Sequence, residues 1–187
     1  WFLVSVPLTI LGSYFGHKKP PPEQPTRTNK IPRQVPHQKW YLNPYFTTLT
    51  GGILPFAAVF IELFFILSSI WHHQVYYVFG ILSIVFAIVI LTCAEIAILV
   101  CYFHLCAEDY RWWWRSFFSA GGCALYVFTY SAYYFFANLE ISRVIPSIMY
   151  FSYMGLLSFG FFVVCGTVGF VSCFSFVRAI YGSVKID

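Results

Sequence analysis

VYYVFGILSIVFAIVILTCAEIAILVCYFHL, residues 75–105, is an apolar run interrupted by one acid, Glu95. A bilayer core of about 30 Å needs roughly 20 helical residues to cross it, so this run is long enough to cross and must tilt or extend beyond the membrane. Only a helix or a closed barrel satisfies its own backbone in lipid, and no two-residue alternation runs through the stretch. The reading is therefore a transmembrane helix at 75–103. Working outward, further apolar runs at 50–71, 116–137 and 146–177 read as complete spans, and residues 1–16 as the end of another. The fold class is all-α, a polytopic transmembrane helix bundle with four complete spans plus a truncated fifth. Trp1 opens inside an apolar run without an initiator Met or a basic leader region, which is expected of a fragment rather than of a signal peptide.

Composition agrees. Hydrophobic residues make up 59% of the chain and charged residues 10%, against about 25% charged in soluble domains, and the mean hydropathy is +0.72. Six cysteines lie in or beside apolar runs without metal-ligand spacing, so free thiols are expected. The formal net charge of +4 does not point to nucleic acid, because the cations cluster in connectors beside spans, where they can meet anionic lipid.

The connectors expected at 17–49, 72–74, 104–115 and 138–145 alternate between the two sides of the membrane. Lys18, Lys19, Arg27, Lys30, Arg33, Lys39, Arg111, Arg115, Arg178 and Lys185 fall on one side, and only Arg143 on the other. By the bias of Lys and Arg toward the cytoplasmic side, the connector 17–49, the connector 104–115 and the tail 178–187 are expected in the cytosol.

Several residues stand out as candidates for function. Glu62 falls near the predicted bilayer midplane, about 18 Å along the helix from Thr50, where an acid must be neutral or partnered. It suits either a proton- or cation-coupled site or a protonated scaffold bonded to Tyr126 or Tyr130. Glu95 does not pair with it: in a hairpin turning near His73, their depths differ by about 16 Å, and Glu95 is left to snorkel or meet an arginine of the next connector. The run Arg111, Trp112, Trp113, Trp114, Arg115 suits an interfacial anchor or a contact to a lipid headgroup. Pro20-Pro21-Pro22 should form a stiff spacer, and Pro22-x-x-Pro25 could meet a proline-reading domain. Small residues that permit close helix approach recur at Gly12 and Gly16, at Ala120 and Ala124, and at Gly155, Gly160, Gly166 and Gly169. His72-His73 is an incomplete ligand set, so no metal is expected. Neither a catalytic constellation nor a cofactor motif is apparent, and the expectation is a protein without enzymatic activity.

The stretches RTNKIPRQVPHQKWY, FIELFFILSSIW, TCAEIAILVCYFHLCAEDYRWWWRSF and the terminal VKID together resemble the transmembrane 9 superfamily, the nonaspanins. That resemblance implies nine spans behind a large lumenal domain, of which this chain would supply the last five, and residence in Golgi and endosomal membranes. It further implies a part in sorting, localisation and surface delivery of client membrane proteins with Gly-rich transmembrane helices. The terminal Lys185-Ile186-Asp187 fits the family's K-x-D/E signal, which implies the COPI coat as a partner of the cytosolic tail. A transporter or channel using Glu62 is the alternative from the residues alone.

Overall fold

The computed structural model describes residues 4–20, 31–71, 75–138 and 143–183, including the side chains of all of these except 62–71, 75–79, 81 and 138. The described chain is helical: α1 (Ser5–Lys18), a 3-10 turn (Trp40–Leu42), α2 (Pro44–Trp71), α3 (Val75–Cys106), α4 (Trp112–Gly121), α5 (Cys123–Asn138) and α6 (Val144–Ser183). Three described stretches are long and apolar enough to cross a membrane: Pro44–Ile61, Leu82–Cys106 and Val144–Ser183.

The stretch expected as a span at 116–137 runs as α4 and α5, joined at Gly122, whose backbone stays helical and whose amide donates to the Phe118 carbonyl at 2.9 Å. Apolar character continues across the junction, but close packing there favours residues without side chains. A Cβ placed on Gly52 of α2 would lie 2.5 Å from the carbonyl carbon of Gly122 and 2.6 Å from the amide nitrogen of Cys123. Backbone meets backbone here. Pro55, buried at the same level of α2, has no N–H and so deprives the Gly51 carbonyl of its helical donor. The hydroxyl of Tyr126 donates to the Leu49 carbonyl at 2.9 Å, tying α5 to α2.

The core lies where α3, α4 and α6 converge. On α3, Cys93, Ala97 and Cys101 recur every fourth residue and are fully buried; Cys165, Gly169 and Cys173 do the same on α6. The thiols of Cys93 and Cys165 are within hydrogen-bonding reach, as are those of Cys101 and Cys173, and a Cβ on Gly169 would stand 3.3 Å from that of Ala97. The two helices thus run in parallel with a constant offset, and small residues let them approach closely. All six cysteines are free, as expected. At the far end of the bundle Tyr150 of α6 donates to the Ser131 carbonyl, and the Ser131 hydroxyl donates back to Tyr150, both at 3.0 Å.

By contrast, α1 buries none of its residues, and a Cβ on Gly12 or Gly16 would meet nothing within 4 Å. At 40 residues, α6 is about 60 Å long, roughly twice the thickness of a hydrocarbon core, so it must project from the membrane.

Candidate interfacial site on the α3–α4 turn

The polar connector between α3 and α4 is shorter than the sequence suggests. Helix α3 runs to Cys106 and α4 starts at Trp112, which puts all three tryptophans on a helix and leaves five residues to turn the chain. The amide of Asp109 donates to the His104 carbonyl at 3.0 Å and that of Glu108 to the Leu105 carbonyl at 3.0 Å. Glu108 has φ 58°, the left-handed conformation that usually falls to glycine at a helix C-terminus. A side chain there costs about 1–2 kcal/mol.

That turn delivers Asp109 into the protein, with its side chain wholly buried. Its Oδ1 accepts from the Arg111 amide at 3.1 Å and from Arg111 Nε at 3.3 Å. Arg115, one turn into α4, brings Nη1 to 2.8 Å from Oδ2 and to 3.0 Å from His104 Nδ1. A guanidinium only donates, so Nδ1 must accept, placing the imidazole proton on Nε2 and leaving His104 neutral. Burial by itself pushes the Asp109 carboxyl up. The Arg111 amide, the Arg115 charge and the Arg111 side chain together outweigh it, and the group sits below its ordinary value.

The connector before α2 closes over this turn. Arg33 Nη2 lies 2.8 Å from Glu108 Oε2, and Gln38 Nε2 donates at 3.1 Å to the Ala107 carbonyl. The proline-rich segment's second half is therefore bonded to the α3–α4 turn. Its first half, with Pro22 and Pro25, lies outside the described residues.

The tryptophans divide. Trp112 turns inward and stacks on Phe170 of α6 with ring centroids 5.8 Å apart. Trp113 and Trp114 stay exposed, consistent with the amphipathic use of indole at a headgroup layer. Between them and α6 lies a cleft of about 490 Å³ lined by Trp113, Trp114, Phe117, Thr167 and Phe170.

The other candidate residues do not join this cluster. Glu95 is exposed on α3, and the arginines of the next connector considered for it, Arg111 and Arg115, are instead engaged by Asp109. Glu62 is on α2 with its side chain outside the described residues; Tyr130 packs edge-on against Phe60 at 5.2 Å. Lys185 and Asp187 lie outside the described residues, as do His72 and His73. Gly166 and Gly169 are buried, whereas a Cβ on Gly160 would meet open space. The sequence reading missed Asp109 and His104. Their one signal was the placement of Asp109 two residues before one arginine and six before another, in a segment entering a helix.

Residues 1–144 match the family described as Endomembrane protein 70. Over all 187 residues the chain is 59% identical to transmembrane 9 superfamily member 10 of Arabidopsis thaliana and 53% identical to member 4 of Homo sapiens, covering 29% of the length of each. It is 54% identical to member 2 of Rattus norvegicus, covering 28% of that protein. The chain thus spans less than a third of the curated relatives it matches. No solved structure matches it. With the family matched over most of the chain and whole-chain identity above one half, this protein belongs to the transmembrane 9 superfamily.

Proposed function

We propose that the protein acts without enzymatic activity in sorting and surface delivery of other membrane proteins, and that it resides in Golgi and endosomal membranes. Membership of the superfamily carries this reading. The spacing of Gly12 and Gly16 supports it physically: they lie one turn apart on α1, an arrangement along which a Gly-rich client helix could lie closely. Gly166 and Gly169 do not serve this purpose, because Phe117 and Ala120 already pack against them. In this reading the tail is cytosolic, and Lys185 and Asp187 offer the COPI coat a cation and an anion two positions apart.

The test is surface delivery of a reporter bearing a Gly-rich transmembrane helix, in cells lacking the full-length protein and in cells resupplied with it. Delivery should fail without the protein and return with it; delivery that proceeds normally in its absence rejects the sorting role. Replacing Lys185 and Asp187 with alanine should move the protein out of the Golgi while leaving its fold intact, and unchanged imaging would remove the signal from the tail.

A further inference from the structure

We propose that the cleft between α4 and α6 holds an acyl chain of a phospholipid whose anionic headgroup pairs with Arg111. The walls are aromatic on both sides, Trp113, Trp114 and Phe117 facing Phe170. The remaining lining side chain, Thr167, spends its hydroxyl on the Val164 carbonyl at 2.8 Å. Nothing in the lining therefore asks for a polar guest. The volume, about 490 Å³, lies within the range of sites that take small molecules. Trp113 and Trp114 stand just past the polar turn, and Phe117 lies a turn further along α4, so the cleft leads from the headgroup layer toward the hydrocarbon.

Charge decides what sits at its mouth. In the turn one carboxylate, Asp109, faces two guanidiniums, and His104 is neutral, so the cluster retains one positive charge. Arg115 is enclosed, with 16% of its side chain accessible, whereas Arg111 is 53% accessible and is held by Asp109 through Nε. Among the described residues its terminal amines meet no hydrogen-bond acceptor. Arg111 immediately precedes α4, at the end of the helix that carries Trp113 and Trp114 of the cleft. The unspent cation thus lies at the polar end of α4 from which the apolar slot leads away, the order of charge and hydrocarbon that an anionic phospholipid requires. Sequence alone would assign headgroup contact equally to Arg111 and Arg115. Geometry assigns it to Arg111, with Arg115 holding the turn.

The experiment uses the full-length protein in phosphatidylcholine nanodiscs carrying a trace of lipid with a photoactivatable acyl chain, either phosphatidylserine or phosphatidylcholine. Crosslinks are mapped by mass spectrometry. We expect phosphatidylserine to label Trp113, Trp114, Phe117 and Phe170 about fivefold more than phosphatidylcholine, the preference one cation near a membrane surface supplies. Arg111→Gln should remove the preference and Arg111→Lys should retain most of it. Thr167→Trp, which fills the slot without touching the Asp109 turn, should abolish labelling there by both lipids. Equal labelling by the two lipids in the wild type, labelling undiminished by Thr167→Trp, or displacement of the lipid by an added Gly-rich transmembrane peptide would each overturn the proposal. The last outcome would assign the cleft to a protein helix.

Discussion

Helices α1 and α6 are both apolar and both carry glycines at spacings associated with helix contact, yet their surroundings are opposite. Gly169 of α6 is enclosed by Ala120, Ser116 and Ala97 from two other helices, while Gly12 and Gly16 of α1 face open space. The difference teaches that small residues give permission for close approach and do not say whether the approach occurs. What commits α6 is its neighbours: the α3 ladder alongside and the Asp109 turn, which fixes how α4 enters the bundle.

Breaking that turn should have the largest effect. Asp109→Ala leaves Arg115 enclosed without its carboxylate, and loss of one partner from a buried pair costs about 3–5 kcal/mol. Thermal unfolding in detergent should show a large drop in midpoint, and a midpoint matching wild type would mean the pair does not hold α4. Next is the seam itself. A Cβ on Gly169 would fall 2.5 Å from that of Ala120, so Gly169→Ala should cost about 1–3 kcal/mol by overpacking. The double change Gly12→Ala, Gly16→Ala should leave stability unchanged or raise it by up to about 2 kcal/mol, because alanine is the better helix former and meets nothing. Equal losses in the two helices would erase the contrast drawn here. If α1 seats a client, the α1 change should lower reporter delivery despite a sound fold.

Acid gives a finer test of the same cluster. The Asp109 carboxyl titrates below its ordinary value of 3.8, so its contribution is present above that value and is lost as pH falls through the lower, folded one. Unfolding followed below pH 3.8 should show a pH-dependent loss that Asp109→Asn lacks; identical profiles would remove the carboxylate from the account. The smallest effect should come from Glu108→Gly. It relieves the left-handed strain and gives up a pair with Arg33 that is exposed on both sides, worth about 0–1 kcal/mol, so the unfolding midpoint should rise slightly or stay put.

Much of the helical framework was legible because lipid solvation leaves a coarse signature: long apolar runs separated by charge. The apolar runs at 50–71 and 75–103 lie on helices, α2 beginning six residues before the first and α3 ending three residues after the second. The junction at Gly122 was not legible, since Gly and flanking apolar residues are equally at home in an unbroken transmembrane helix. Asp109 was hidden for another reason. In sequence it is one acid among arginines in a polar connector, and its burial is created by a left-handed residue that is glutamate where glycine would have signalled the turn. The cluster of three tryptophans was plain in the sequence, but which of them turns inward depends on Phe170, more than fifty positions away.

The ladder between α3 and α6 has one more consequence. Because small residues recur every fourth position on both helices, sliding one past the other by four residues, about 6 Å, would again set small against small at two of the three rungs. Steric fit at those rungs therefore does not by itself choose the vertical register. Bulky side chains on α4, which the Asp109 turn ties to the end of α3, choose it: Trp112 stacked on Phe170 and Phe117 edge-on to Phe162 act as pawls on a smooth rack. Trimming those aromatics, rather than the thiols, is what would let the two helices slip.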